Sequence, residues 1–361
     1  MVLHQEGRRL RWAGLGLAVL GCLAWLACAP LQRAVDRQGL ADNAALLVAD
    51  EPLAPPATLV AVLAKPAADG LGGAPAVMVN TRDRWVMATV DNQKIINEIG
   101  YFPSFIRSGA REANVAAVDI YRHGPLGERP VVLWVPGRGF AAIGLPFFQA
   151  MYERILERGF DLVVWIPPYH LMRQREGADA GDGFLRVDVA DNVQVFERMT
   201  HELRSIVAWL HGQGVTTVGG WGGSVGGALL WQASATVPFD HLALMIPILD
   251  WRSFARDPPE MQPVRQRLHD AGYSDVLLDE AYRRTSPAGV TSLVDPGRIL
   301  LQYARHDQLT SEALSLDFAR RHGIERVIGY ERSHASMLLT PSLYSDYAAF
   351  LDDVVAKSPA R

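Results

Sequence analysis

The sequence predicts an α/β fold: a mainly parallel β-sheet with helices on both faces, carrying a small helical insertion as a lid. Three observations predict it. From about residue 115 onwards, β-rich runs alternate with helical stretches, the rhythm of parallel strands joined by crossover helices. A glycine-rich turn, Gly222-Gly223-Ser224-Val225-Gly226, stands between one such run and the helix that follows it. The composition is that of an ordinary globular chain, with 49% hydrophobic and 20% charged residues and a net charge of -4 over 361 residues. That length suits one large domain plus extras.

Residues 1–31 read as a leader. Arg8, Arg9 and Arg11 precede an uncharged stretch from Trp12 to Leu31, long enough to cross a hydrocarbon layer of ~30 Å. Arginines on its N-terminal side leave that end in the cytoplasm and place the body on the far side, in a bacterial periplasm or outside the cell. Three fates fit: a retained anchor helix, a cleaved signal, or a lipoprotein. Trp25-Leu26-Ala27-Cys28 resembles a bacterial lipoprotein cleavage box with Trp25 in place of the usual leucine, which makes Cys28 the candidate lipidation site. Cys22 and Cys28 are the two cysteines of the chain, so the body has no disulfide, thiolate metal site or cysteine nucleophile.

Residues 32–110, rich in alanine and proline, read as a linker followed by an accessory segment. Val77–Val79 and Trp85–Val90 suit short strands and Gln93–Ile99 a helical turn, and the region shows no chemistry of its own. Residues 111–361 form the α/β domain. Its expected strands are Val115–Tyr121, Val131–Val135, Leu162–Ile166, Thr216–Trp221, Leu242–Ile248, Ile299–Ala304 and Arg326–Tyr330. Its expected helices run near Pro146–Arg158, Ala190–His211, after Ser224, Ser311–Arg321 and Ser342–Val355. A polar insertion near 251–296 reads as the lid, with Trp251, Phe254 and Tyr273 as candidate walls of an acyl pocket.

The chemistry gathers around G-x-S-x-G. In a strand-to-helix turn this sharp, side chains two residues either side of the serine would collide. Gly222 and Gly226 are therefore required, and the Ser224 hydroxyl is lifted above the sheet edge. A serine hydroxyl is a weak nucleophile until a base takes its proton, and an acid must hold that base in the correct tautomer. His334, after the strand Arg326–Tyr330, is the candidate base. Asp307, after the strand Ile299–Ala304, is the candidate acid, with Asp250 after the preceding strand as the alternative. The developing oxyanion needs backbone N–H donors. Val225 supplies one, and the loop Val135-Pro136-Gly137-Arg138-Gly139 supplies the other from Arg138, with Gly139 as fallback.

With elbow, ordered triad and oxyanion loop together, residues from about Val115 to Val355 resemble the α/β-hydrolase superfamily, although Pro136 replaces the usual histidine of the oxyanion loop. The resemblance implies an esterase- or lipase-like serine hydrolase that works through an acyl-enzyme on an ester, thioester or amide. Carboxylic ester is the preferred class, and the membrane is met through the N-terminal segment. No cofactor and no metal is expected. Lys plus Arg (35) falls below Asp plus Glu (39), and no basic stripe appears, so nucleic acid is excluded as a partner. Two other classes compete: a membrane-tethered binding or scaffold protein that keeps the fold without catalysis, and a dinucleotide-binding enzyme suggested by Gly137-x-Gly139-x-x-Ala142. The second lacks its ribose-binding acid, because Asp161 stands at the wrong end of the next strand.

Overall fold

The computed structural model describes residues 28–49, 53–66, 78–80, 94–106, 111–139 and 145–356. The chain opens with helices α1 (Ala29–Ala49) and α2 (Pro56–Leu63). Strands β1 (Met78–Asn80), β2 (Ile96–Pro103), β3 (Val115–Arg122) and β4 (Val131–Val135) follow, then helix α3 (Leu145–Leu156) and strand β5 (Asp161–Ile166). Next come α4 (Val189–Gly212), β6 (Val218–Gly223), α5 (Val225–Ala233) and β7 (His241–Met245). The insertion holds α6 (Trp251–Arg256), α7 (Gln262–Asp270) and α8 (Asp275–Thr285), before β8 (Ile299–Ala304), α9 (Glu312–Arg321), β9 (Arg326–Tyr330) and α10 (Pro341–Ala356).

These strands form one nine-stranded sheet in the order β1-β2-β3-β5-β4-β6-β7-β8-β9. From β5 across to β9 all neighbours are parallel, and β1, β2 and β3 add an antiparallel edge. The central strands β4 to β8 are buried along their whole length. This is why they read in the sequence as unbroken apolar or glycine runs rather than as alternation. On one face Met199, Leu203 and Ile206 of α4 and Leu229 of α5 cover the sheet. On the other, Met151 and Ile155 of α3 and Tyr347 and Leu351 of α10 do so.

The N-terminal helices depart from the sequence expectation. Residues 32–110 read as linker and accessory segment, yet Ala29–Ala49 is a 21-residue helix. Ala44 of α1 and Leu59 of α2 join Val264, Leu268 and Leu278 of the insertion in a third apolar cluster over the start of α4. The insertion is helical as expected. Trp251 and Phe254 line a cavity of about 70 Å³ between it and α4, and Ser224, His334 and Asp307 are not among the lining residues. Tyr273 instead donates its hydroxyl to the Ala54 carbonyl at 2.8 Å.

Gln93–Ile99 is corrected: Ile96–Pro103 is a strand paired antiparallel with β3. Ile95, Ile96 and Ile99 imitate a helical stripe, but these β-branched residues gain more from a sheet edge than from a lone turn. Trp85–Val90 and residues 1–27 of the leader lie outside the described residues. Among the described residues no helix is long and apolar enough to cross a membrane.

Candidate active site

The site is assembled where β6 turns into α5. Ser224 occupies that turn with φ 52° and ψ -121°, a conformation a non-glycine residue adopts at a cost of about 1–3 kcal/mol. The surroundings hold it there. Its N–H donates to the Met245 carbonyl at 2.9 Å, and its own carbonyl accepts from Ala228 and Ile248, each at 3.2 Å. The two flanking glycines are needed for space: a Cβ on Gly226 would stand 2.0 Å from the Val135 carbonyl oxygen, and one on Gly222 would stand 2.7 Å from the Gly227 Cα.

The structure brings Ser224, His334 and Asp307 together. Ser224 Oγ lies 2.8 Å from His334 Nε2, and His334 Nδ1 lies 2.8 Å from Asp307 Oδ2. Asp307 is held in turn, its Oδ1 accepting the N–H groups of Leu309 at 2.7 Å and Thr310 at 2.9 Å. With both carboxylate oxygens engaged, the neutral imidazole carries its proton on Nδ1 and leaves Nε2 free to accept from the hydroxyl. Burial disfavours the imidazolium. The charge and hydrogen bond of Asp307, with the charge of Asp36, outweigh it, so the His334 pKa stands above the ordinary imidazole value.

Asp250, the alternative acid, is not at this site. Its carboxylate accepts from the Arg252 N–H and the Ser253 hydroxyl at the start of α6, the work of a helix cap.

The loop after β4, from which a second oxyanion donor was expected, presses on the elbow: a Cβ on Gly137 would come within 2.9 Å of the Ser224 Cβ. Val225 heads α5, where no preceding carbonyl of the helix is within reach of its N–H. Gly139, the fallback donor, is already engaged, its N–H donating to His170 Nε2 at 2.9 Å. His170 donates from Nδ1 to the Pro168 carbonyl at 2.7 Å. Burial pushes its pKa down to about 4, so the ring stays neutral and keeps Nε2 as an acceptor. The turn carrying it is itself strained, with φ of 64° at Tyr169 and 47° at Leu171. The segment Pro167-Pro168-Tyr169-His170 thus braces the loop after β4 through the Gly139 N–H. The Arg138 guanidinium turns away from the elbow to the Asn43 side-chain oxygen.

Asn43 belongs to α1, and that helix is the part of the site sequence reasoning missed. Asp36 accepts the N–H groups of His334 at 2.9 Å, Ala335 at 3.0 Å and Gln308 at 3.2 Å. Gln32, one turn earlier, accepts the Ser336 hydroxyl at 3.0 Å. One signal was available: Gln32, Asp36, Leu40 and Ala44, all buried, recur at a spacing of four, the period of a helix face.

Among the described residues no three His, Cys, Asp or Glu side chains gather as a metal-ligand set. Of the glycine pattern that suggested a dinucleotide, Ala142 lies outside the described residues, while Gly137 is packed on the serine.

No family model and no curated protein matches this chain. Solved structures do. Acetyl xylan esterase 1 from Thermoanaerobacterium sp. JW/SL YS485 is similar over 82% of this chain and 92% of its own, with a TM-score of 0.56 and 14% identity. An acetyl xylan esterase from Paenibacillus sp. R4 is similar over 86% and 98%, with a TM-score of 0.55 and 12% identity. The Pyrococcus horikoshii acylaminoacyl peptidase is similar over 72% of this chain and 42% of its own, at 0.51 and 17%. At such identities the likeness concerns the fold, and this chain has the α/β-hydrolase fold.

Proposed function

We propose that this protein is a serine hydrolase that cleaves a carboxylic ester through an acyl-enzyme, with Ser224 as nucleophile, His334 as general base and Asp307 as its orienting acid. The observation that carries this reading is the unbroken relay from Ser224 Oγ through His334 to Asp307, with 2.8 Å at each step. Ser224 Oγ attacks the acyl carbon while its proton passes to His334 Nε2. Asp307 keeps the other ring proton on Nδ1 and stabilises the imidazolium. The charge developing on the carbonyl oxygen is met by the Val225 N–H and, from the loop packed on the elbow, the Arg138 N–H. Each such donor is worth about 10²–10³ in turnover. The C–O bond then breaks, His334 returns its proton to the leaving alkoxide, and water repeats the cycle on the acyl-enzyme.

Ester is placed first because two structures of similar fold are acetyl xylan esterases; the peptidase keeps amides among the substrates to be tried. The reading includes a tether, the uncharged run before Cys28 serving as a membrane or lipid anchor with the body outside the cytoplasm. Cys28 is free and exposed at the head of α1, as lipidation would require.

The test is labelling by a fluorophosphonate, which reacts with activated serines, on wild type beside Ser224→Ala and His334→Ala. Labelling of wild type alone is the expected result, followed by turnover of p-nitrophenyl esters. A folded wild type that neither labels nor turns over an ester would transfer the reading to a non-catalytic envelope protein.

A further inference from the structure

Helix α1 touches each of the three loops on which the proposed chemistry depends. Asp36 bridges two of them, accepting from His334 and Ala335 on the base loop and from Gln308 on the acid loop. Arg37 donates to the Gln308 side chain at 3.3 Å, and Asn43 receives the Arg138 guanidinium from the oxyanion loop. Gln32 adds a second bond to the base loop through Ser336. Asp36 is only 3% exposed, so its charge is compensated by these N–H groups rather than by water. A carboxylate that binds both loops at once fixes the separation of His334 Nδ1 from Asp307 Oδ2, the distance on which the tautomer depends.

We propose that Asp36 is a positioning residue of the site: presented by the N-terminal helix α1, it locks the base loop to the acid loop and adds a second negative charge beside the imidazolium. This rests on the serine-hydrolase reading and deepens it. The charged groups acting on His334 are Asp307 from the loop after β8 and Asp36 from α1. The remaining charges of the adjoining loops are engaged elsewhere: Arg305 and His306 with Glu331, Arg332 with the Thr340 hydroxyl.

The experiment uses the full chain as wild type, Asp36→Asn, Asp36→Ala and, as a control, Asp42→Asn, an exposed residue of the same helix that pairs with Gln38. Fluorophosphonate labelling rates are measured from pH 5 to 9 and kcat and KM on a p-nitrophenyl ester. The asparagine variant keeps acceptor oxygen but loses charge: its labelling midpoint moves to lower pH and its kcat falls about tenfold with KM little changed. The alanine variant moves the midpoint the same way and loses about a hundredfold, because both loops are released. Asp42→Asn matches wild type. If wild type labels at Ser224 while both Asp36 variants keep its midpoint and rate, the proposal is overturned. It is equally overturned if they melt earlier but, where folded, titrate like wild type, for Asp36 would then be a structural tie. Failure of wild type itself to label overturns the hydrolase reading and this one with it.

Discussion

On the proposed mechanism, Ser224 would act as a nucleophile only so far as His334 can take its proton, and the acid behind His334 would decide that. In Asp307→Asn the amide still accepts from Leu309 and Thr310, but its NH₂ faces Nδ1 and drives the ring proton to Nε2, where it blocks the serine. Ester turnover should fall about 10⁴-fold with the fold intact. Asp250→Asn should leave turnover within about twofold, since asparagine caps a helix as well as aspartate does. Steady-state rates of the two variants side by side check both. The pH profile follows from the same geometry. His334 must be neutral to act, and its pKa is raised, so kcat/KM should fall on the acid side around a midpoint above the usual imidazole value of about 6.5. These three residues were legible because a strained turn demands glycines at fixed spacing and because base and acid follow strands in a set chain order. Asp36 and His170 were not. Each binds through backbone N–H groups of distant loops; the spacing-of-four face marks Asp36 as one buried position of a helix, but not as a ligand of those loops.

At the scale of elements, β4, β5 and β8 were read to within a residue, because burial on both faces writes an apolar run, whereas Thr216–Trp221 ended two residues short of β6 and Leu242–Ile248 ran three past β7. Strand β2, second from the antiparallel edge of the sheet, was missed, since Ile95, Ile96 and Ile99 imitate the stripe of a helical turn. Strand β7 carries an oddity with a measurable consequence. His241 is fully buried between Phe160 and Phe350, and neither ring nitrogen has a hydrogen-bond partner. Burial pushes its pKa down to about 3, whereas in the unfolded chain it stands near 6.5. Between those values the unfolded chain binds the proton and the native chain does not, so stability is lost as pH falls through about 6.5. By pH 5 the loss amounts to about 2 kcal/mol from this residue. His241→Leu, of similar volume and without the stranded nitrogens, should lose about 2 kcal/mol less between pH 7.5 and pH 5. Urea unfolding at the two pH values measures it; equal losses in both proteins would show that His241 is not the source.

For the whole molecule, the decisive feature is that Cys28, where the proposed tether would end, and the site are joined without slack. From Cys28 the chain enters α1 at once and reaches Asp36 within it; at 1.5 Å per residue the two lie about 12 Å apart along the helix axis. The sequence suggested a long linker here because alanine and proline dominate residues 32–110, but the prolines fall after α1, and alanine favours the helix. On the proposed reading, a tether ending at Cys28 would hold the loops that carry His334 and Asp307 near the bilayer surface, within reach of esters lying in it. Inserting about ten Gly-Ser residues between Cys28 and Ala29 leaves α1 docked through Leu40 and Ala44 while freeing the body to drift by about 20 Å. Turnover of a water-soluble p-nitrophenyl ester should remain within about twofold of wild type. Hydrolysis of a long-chain ester carried in vesicles, by protein reconstituted in the same vesicles, should fall several-fold, because the effective concentration of the site at the surface drops with linker length. Equal loss on both substrates would mean that the insertion had undocked α1. No loss on either would mean that the closeness of anchor and site plays no part in substrate access.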